Sequence, residues 1–235
     1  MTARTKAWRK PMIAMAMTLA TVLHANAGQS AKPPENLPSN QWPVDTVKAE
    51  AAFCKSALAS LTLDYDTLKP FGGPGGCGSA APLWIRSIAG ITLSPPIVTD
   101  CRMAANLYGW IGTSLAAGAA DDLGKQLVQV NTASDYVCRL RNNLKTGKLS
   151  EHGKANALDI ASLQFSDGTH MSIKGDWSGL GAMLGLSKKA AYLKRIRRDA
   201  CIRFTTVLGP GSDPYHGDHF HVDMAQRKNG YRICQ

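Results

Sequence analysis

The chain has 235 residues, 44% of them hydrophobic and 19% charged, and 27 basic against 17 acidic side chains give a formal net charge of +10. These proportions describe a globular protein with enough chain for one well-buried domain, and they exclude a disordered polyelectrolyte and a fibrous repeat.

Residues 1–27 carry Arg4, Lys6, Arg9 and Lys10 and no acid, then an uncharged run over 11–23 and the small-residue site Ala25-Asn26-Ala27. This is the pattern of a cleavable secretion signal. The run is shorter than the ~20 residues that cross a bilayer, so no permanent membrane span is expected. Removal of 1–27, with its four basic residues, would leave a charge of +6. Residues 28–47, rich in Pro, Ser, Asn and Gln, read as a flexible leader, and the domain is expected over 48–235.

Within that domain a helix is predicted over 48–61, followed by a turn at 71–78, FGGPGGCG, pinned by a cysteine. Residues 83–93 have strand-like apolar content. Asp100 is placed to cap a helix over 101–115. Strands are expected at 127–130 and 158–165, the latter turning at Ser166-Asp167-Gly168 into a return strand over 170–173. A helix over 187–201 has Ala190, Leu193, Ile196 and Ala200 on one face and Lys188, Lys189, Lys194, Arg195, Arg197 and Arg198 outside it. Its basic face reads first as a solvated surface and second as a polymer-binding patch. The last strands are expected at 204–208 and 219–224. The sum is α+β, a small, mostly antiparallel sheet flanked by helices and stabilised by disulfides.

All six cysteines (Cys54, Cys77, Cys101, Cys138, Cys201 and Cys234) follow the signal. In an exported chain an even number reads as up to three disulfides, with buried free thiols as the alternative. Six cysteines allow 15 pairings, of which Cys201–Cys234 is favoured because both lie in the C-terminal segment. Secretion across the inner membrane into the periplasm argues against nucleic acid as a partner. The residual positive charge suits weak association with anionic envelope polymers.

Chemistry concentrates in two stretches. His216, His219 and His221 crowd into HGDHFH, and in a strand His219, His221 and Asp223 share one face. Upstream, His152 precedes Asp159 by seven positions, across a polar turn that can fold back. Two imidazoles and one carboxylate suit zinc with a fourth position open to water. A surface histidine and a turn carboxylate are the plainer readings of His152 and Asp159 taken singly. Trp84, Trp110 and Trp177 read as core residues, and His170 as a hairpin residue without a metal role.

These motifs resemble a known group. SxHxxGxAxD together with HxH is similar to the metallopeptidases that include D-Ala-D-Ala carboxypeptidases and dipeptidases, lysostaphin-type enzymes and penicillin-insensitive murein endopeptidase. YVCR, LSEHGKANALDIA, ACIRFTTVLGPG and HGDHFHVDMA resemble the bacterial extensin-like C-terminal domain, from about Cys54 to the end. The resemblance implies one Zn2+ held by His152, Asp159 and His221. It implies Asp218 as general base, ahead of His219, with His219 or His216 orienting water or stabilising an oxyanion. Arg139 and Ser150 would then contact substrate, each with a structural alternative: a surface arginine beside a disulfide, and a turn cap. The implied activity is hydrolysis of D-amino-acid-containing bonds in peptidoglycan peptides, by endopeptidase or carboxypeptidase action. The rivals are a non-catalytic envelope protein that binds wall polymer or metal, and a zinc amidase with another substrate. One position departs from the pattern: Ala155 stands where glycine is expected, and Gly153 is a candidate to take over the turn.

Overall fold

A computed structural model describes residues 32–235, so the secretion signal expected over 1–27 lies outside the described residues. The helix α1 covers Val44–Leu58 and starts earlier than 48, because Pro43 sets the entry and the preceding residues are tied down. Gln41 N–H donates to the Gly72 carbonyl (2.7 Å) and Trp42 Nε1 to that of Phe71 (2.9 Å), so the end of the expected leader belongs to the folded body.

The strands that follow are β1 (Leu63–Thr67), the two-stranded ribbon β2 (Phe71–Gly72) and β3 (Gly78–Ser79), then β4 (Pro82–Ile88) and β5 (Ile91–Asp100). The single strand expected over 83–93 is thus two antiparallel strands joined at Ala89-Gly90. Asp100 caps α2 (Cys101–Trp110) through its carboxylate, which accepts the Arg102 N–H at 2.9 Å. One π-helical turn (Ile111–Ala116) joins α2 to α3 (Ala117–Leu123), which ends at Gly124 in the left-handed region at φ 64°. Glycine is suited to that ending because it has no Cβ.

Strand β6 (Leu127–Ser134) precedes the central strand β7 (Ala157–Phe165), from which β8 (His170–Ser172) returns. Short helices α4 (Ile173–Asp176) and α5 (Leu180–Met183) lead to the basic helix α6 (Lys188–Arg203), capped by the Ser187 hydroxyl. Strands β9 (Thr206–Leu208), β10 (Phe220–Asp223) and β11 (Ile233–Cys234) complete a nine-stranded sheet of order β1-β4-β5-β6-β7-β10-β9-β11, with β8 beside β7. The sheet is larger than expected. It is mixed but mostly antiparallel, the parallel pairs being β5–β6 and β9–β11.

The faces of β7 and β10 divide the molecule's tasks. Leu158, Ile160, Phe220 and Val222 point into the main core with Met103, Leu107, Trp110, Leu193 and Ile196 of the helices. Because successive strand residues alternate, Asp159, His221 and Asp223 point to the opposite face. The core is fastened by polar contacts too: Trp110 Nε1 donates to the Ile196 carbonyl (2.9 Å) and the Tyr192 hydroxyl to that of Leu115 (2.8 Å).

All six cysteines pair, as Cys54–Cys101, Cys77–Cys138 and Cys201–Cys234. The first ties α1 to the start of α2, and the third ties α6 to β11. Among the described residues no helix is long and apolar enough to cross a membrane.

Candidate metal centre

β7 and β10 pair so that Asp159 and His221 stand directly opposite each other. Asp159 Oδ1 lies 2.9 Å from His221 Nδ1. The third member arrives on a single 3-10 turn, Glu151–Lys154, which directs His152 onto the same point. His152 Nε2 is 3.2 Å from His221 Nδ1 and 3.3 Å from Asp159 Oδ2. The three residues are buried and are the one group among the described residues whose donor atoms could share an ion.

The separations test the fit. A tetrahedral zinc with bonds of about 2.0–2.1 Å places its ligand atoms about 3.3 Å apart. The two imidazole nitrogens stand 3.2 Å apart, and each lies 2.9–3.3 Å from one of the two Asp159 oxygens, so the cluster is close to that spacing on both nitrogens and offers either oxygen as the third donor. Both imidazoles are also held in the tautomer a metal needs. His152 Nδ1–H donates to the Asp135 carbonyl at 2.6 Å, which frees Nε2. His221 Nε2–H donates to Asp223 Oδ2 at 3.0 Å, which frees Nδ1. Such outer partners orient metal-binding histidines and raise their basicity. Asp223 is itself fixed: its other oxygen accepts from the Thr206 hydroxyl and from the Ala225 N–H at 3.0 Å. Thr206 accepts in turn from Arg227 at 2.5 Å.

Burial works against charge on these groups, but their mutual contacts prevail. Burial would raise the Asp159 carboxyl, yet the His152 and His221 rings packed against it hold it well below the usual carboxylate range. Burial would lower His221, yet Asp159 and Asp223 push it up to about 9. Without a cation, then, His221 keeps a proton between two carboxylates; a divalent ion at Nδ1 would take over that role.

The site opens into a cleft of about 420 Å³ lined by Arg139, Ser150, Tyr215, His216 and His219, among others. His216 Nδ1–H donates to Asp213 Oδ1 (2.7 Å), and burial lowers its pKa against the pull of that carboxylate. It is therefore a neutral ring whose Nε2 accepts. His219 Nδ1–H donates to Asp218 Oδ1 (2.8 Å), while its Nε2 comes within 3.7 Å of Asp159 Oδ1. Asp218 does not line the cleft: its side chain is 58% exposed, and it reaches the site only through His219. The strand begins at Phe220, after Asp218.

Arg139 has no carboxylate within ion-pair reach among the described residues. Ser150 does not cap the turn with its side chain; its carbonyl accepts the Gly153 N–H instead (3.0 Å). Ala155, not Gly153, takes the left-handed conformation, at φ 52°. Ala155 is fully buried, and its carbonyl accepts from the Asp100 N–H (2.6 Å) and the Thr99 hydroxyl (3.2 Å), contacts that hold the backbone in that conformation. Trp84 and Trp110 are core residues, and His170 bonds Ser162 Oγ at 2.9 Å, away from the cluster.

Asp135 and Asp213 carry no clear mark in the sequence, whereas Asp223 is read onto the strand face of His221. Asp135 contributes a backbone carbonyl, which no side-chain pattern reveals. Asp213 precedes His216 by three positions, and Asp223 continues the alternation of His219 and His221; those spacings were the available signals.

A family model described as "Extensin-like protein C-terminus" matches residues 52–235. No curated protein and no solved structure matches the chain.

Proposed function

The chain belongs to the extensin-like protein C-terminus family, and on that premise we propose that it is an exported zinc-dependent peptidase that hydrolyses D-amino-acid-containing bonds of peptidoglycan. The carrying observation is that His152 Nε2, His221 Nδ1 and the Asp159 carboxylate converge at the base of an open cleft, the two nitrogens 3.2 Å apart and each 2.9–3.3 Å from one of the two carboxylate oxygens. The same triad and the His-x-His pair underlie the resemblance to the murein metallopeptidases. The three disulfides suit an exported protein.

His152, Asp159 and His221 would hold the ion. When bound, zinc supplies Lewis acidity, lowering the pKa of a water towards about 7 and polarising the scissile carbonyl. His219 is the general base in this reading, because its Nε2 faces the cleft while Nδ1–H is engaged by Asp218. Asp218 is a positioning residue that fixes the tautomer and stabilises the imidazolium formed on proton uptake. The neutral His216 orients the attacking water through Nε2, since a ring with its proton committed to Asp213 has no donor to offer an oxyanion. Arg139 lies on the cleft wall and can grip a peptide carboxylate bidentately. Ser150 lines the same wall.

Metal analysis of the purified disulfide-bonded protein, followed by mass spectrometry of digested cross-linked muropeptides, tests this. One zinc per chain and cleavage lost in His219→Ala are expected. A zinc-loaded protein that leaves every muropeptide intact would sink the peptidase reading in favour of a binding protein.

A further inference from the structure

We propose that residues 178–187 form a docking site for an anionic phospholipid surface, which seats Leu180, Met183, Leu184 and Leu186 at the head-group boundary. The segment reads SGLGAMLGLS and contains no charged side chain. Those four side chains are exposed by 72%, 82%, 62% and 76%. Single exposed apolar residues are ordinary on a protein surface; four within seven positions concentrate exposed apolar surface on one short segment.

The patch projects from a braced base. Trp177 packs edge-on against Phe220 with centroids 5.6 Å apart, and the Arg197 guanidinium lies 4.6 Å from the Trp177 ring. Lys189 Nζ bonds Asp176 Oδ1 at 3.1 Å, so the acid nearest the loop is already matched. Exposed Lys174 and Lys188 flank the segment, with no carboxylate in ion-pair reach among the described residues.

Charge chooses the occupant. A two-fold contact with a second copy would bring each lysine pair towards its own counterpart, since such an interface is self-complementary. A phosphate-bearing bilayer satisfies both parts at once: apolar side chains enter the acyl boundary while lysine stems lie along it and their ammonium groups meet phosphate. The chain would lie on the membrane without spanning it. Phe220 adjoins His221, and Lys174 is near enough to act on Asp218, so docking would hold the cleft beside the lipid surface.

Co-sedimentation of the folded, disulfide-bonded protein with phosphatidylglycerol/phosphatidylcholine vesicles, against pure phosphatidylcholine, tests the proposal. At least tenfold stronger partitioning to the anionic vesicles is expected. A combined Leu180→Ser, Met183→Ser, Leu184→Ser, Leu186→Ser variant and a Lys174→Glu, Lys188→Glu variant should each lose at least tenfold, with circular dichroism and melting unchanged. Equal partitioning to both vesicles, or none to either, overturns it. So does binding kept by the serine variant, which would mean charge alone, or a dimer abolished by that variant, which would assign the patch to a second copy.

Discussion

Asp159 and His221 are cross-strand partners in the β7–β10 register, separated by 62 positions in sequence and 2.9 Å in space. Two of the three candidate ligands are therefore fixed by backbone pairing in the middle of a sheet, with Leu158 and Ile160 anchoring the strand from the other face. Only His152 depends on a turn.

The ligand and base roles separate in a pair of variants. His221→Ala or Asp159→Ala should abolish zinc retention, whereas His219→Ala keeps one zinc and loses turnover by about 10²–10⁴, the usual worth of a general base. Elemental analysis with kinetics on one muropeptide checks this; equal metal loss in His219→Ala would overturn the assignment.

Asp223 should act on zinc without touching it. Its carboxylate holds His221 Nε2–H at 3.0 Å, so Asp223→Ala is expected to weaken zinc binding about 10–100-fold, as losses of outer partners do. Competition with a chelating dye measures it, and the cobalt-substituted protein's visible spectrum should shift as the imidazole reorients.

Zinc affinity should rise with pH. His221 is pushed up to about 9, above its ordinary 6.5, so binding at Nδ1 displaces a proton below pH 9. The dissociation constant should fall about tenfold per unit between pH 6 and 8. For the metal-free protein the sign is opposite. Stabilisation by the protonated ring is complete below pH 6.5 and fades as pH rises through about 9. Chelated protein should thus melt lower at pH 9 than at pH 6.5, and zinc should remove the difference.

Ala155→Gly sets two effects against each other. Glycine relieves a left-handed backbone costing about 1 kcal/mol, but it removes a buried methyl worth about 0.8 kcal/mol and frees the unfolded chain. A change within about 1 kcal/mol is expected by denaturant titration. Ala155→Val, with a branched Cβ at φ 52°, should cost more than 2 kcal/mol on the order-of-magnitude scale of strained sites.

The alternation put His221 and Asp223 on one face of a strand from sequence alone, whereas His219, expected on the same face, precedes the strand, which begins at Phe220; the cysteine parity suited three disulfides. The Asp159–His221 register was not legible, because strand pairing over 62 positions is chosen by long-range packing. Two strands merged into one over 83–93 because the hairpin turns on Ala89, at φ 54°, without the Asn-Gly pair that advertises such turns. The helix after Asp100 outran its expected end at 115 for a packing reason. A Cβ on Gly118 would fall 1.8 Å from the Arg195 guanidinium, so this glycine admits a neighbour and does not end the helix.

The Cys77–Cys138 bond lies behind the turn that carries His152, where a Cβ on Gly153 would sit 3.1 Å from Cys77 Sγ. Val137, next to Cys138, donates its N–H to the His152 carbonyl at 3.3 Å. Oxidation of one thiol pair thus backs His152, the one candidate ligand of the three that the sheet does not fix. A reduced chain would carry His152, Asp159 and His221 without the covalent backing behind the first of them, which on the proposed zinc reading would tie metal binding to disulfide formation.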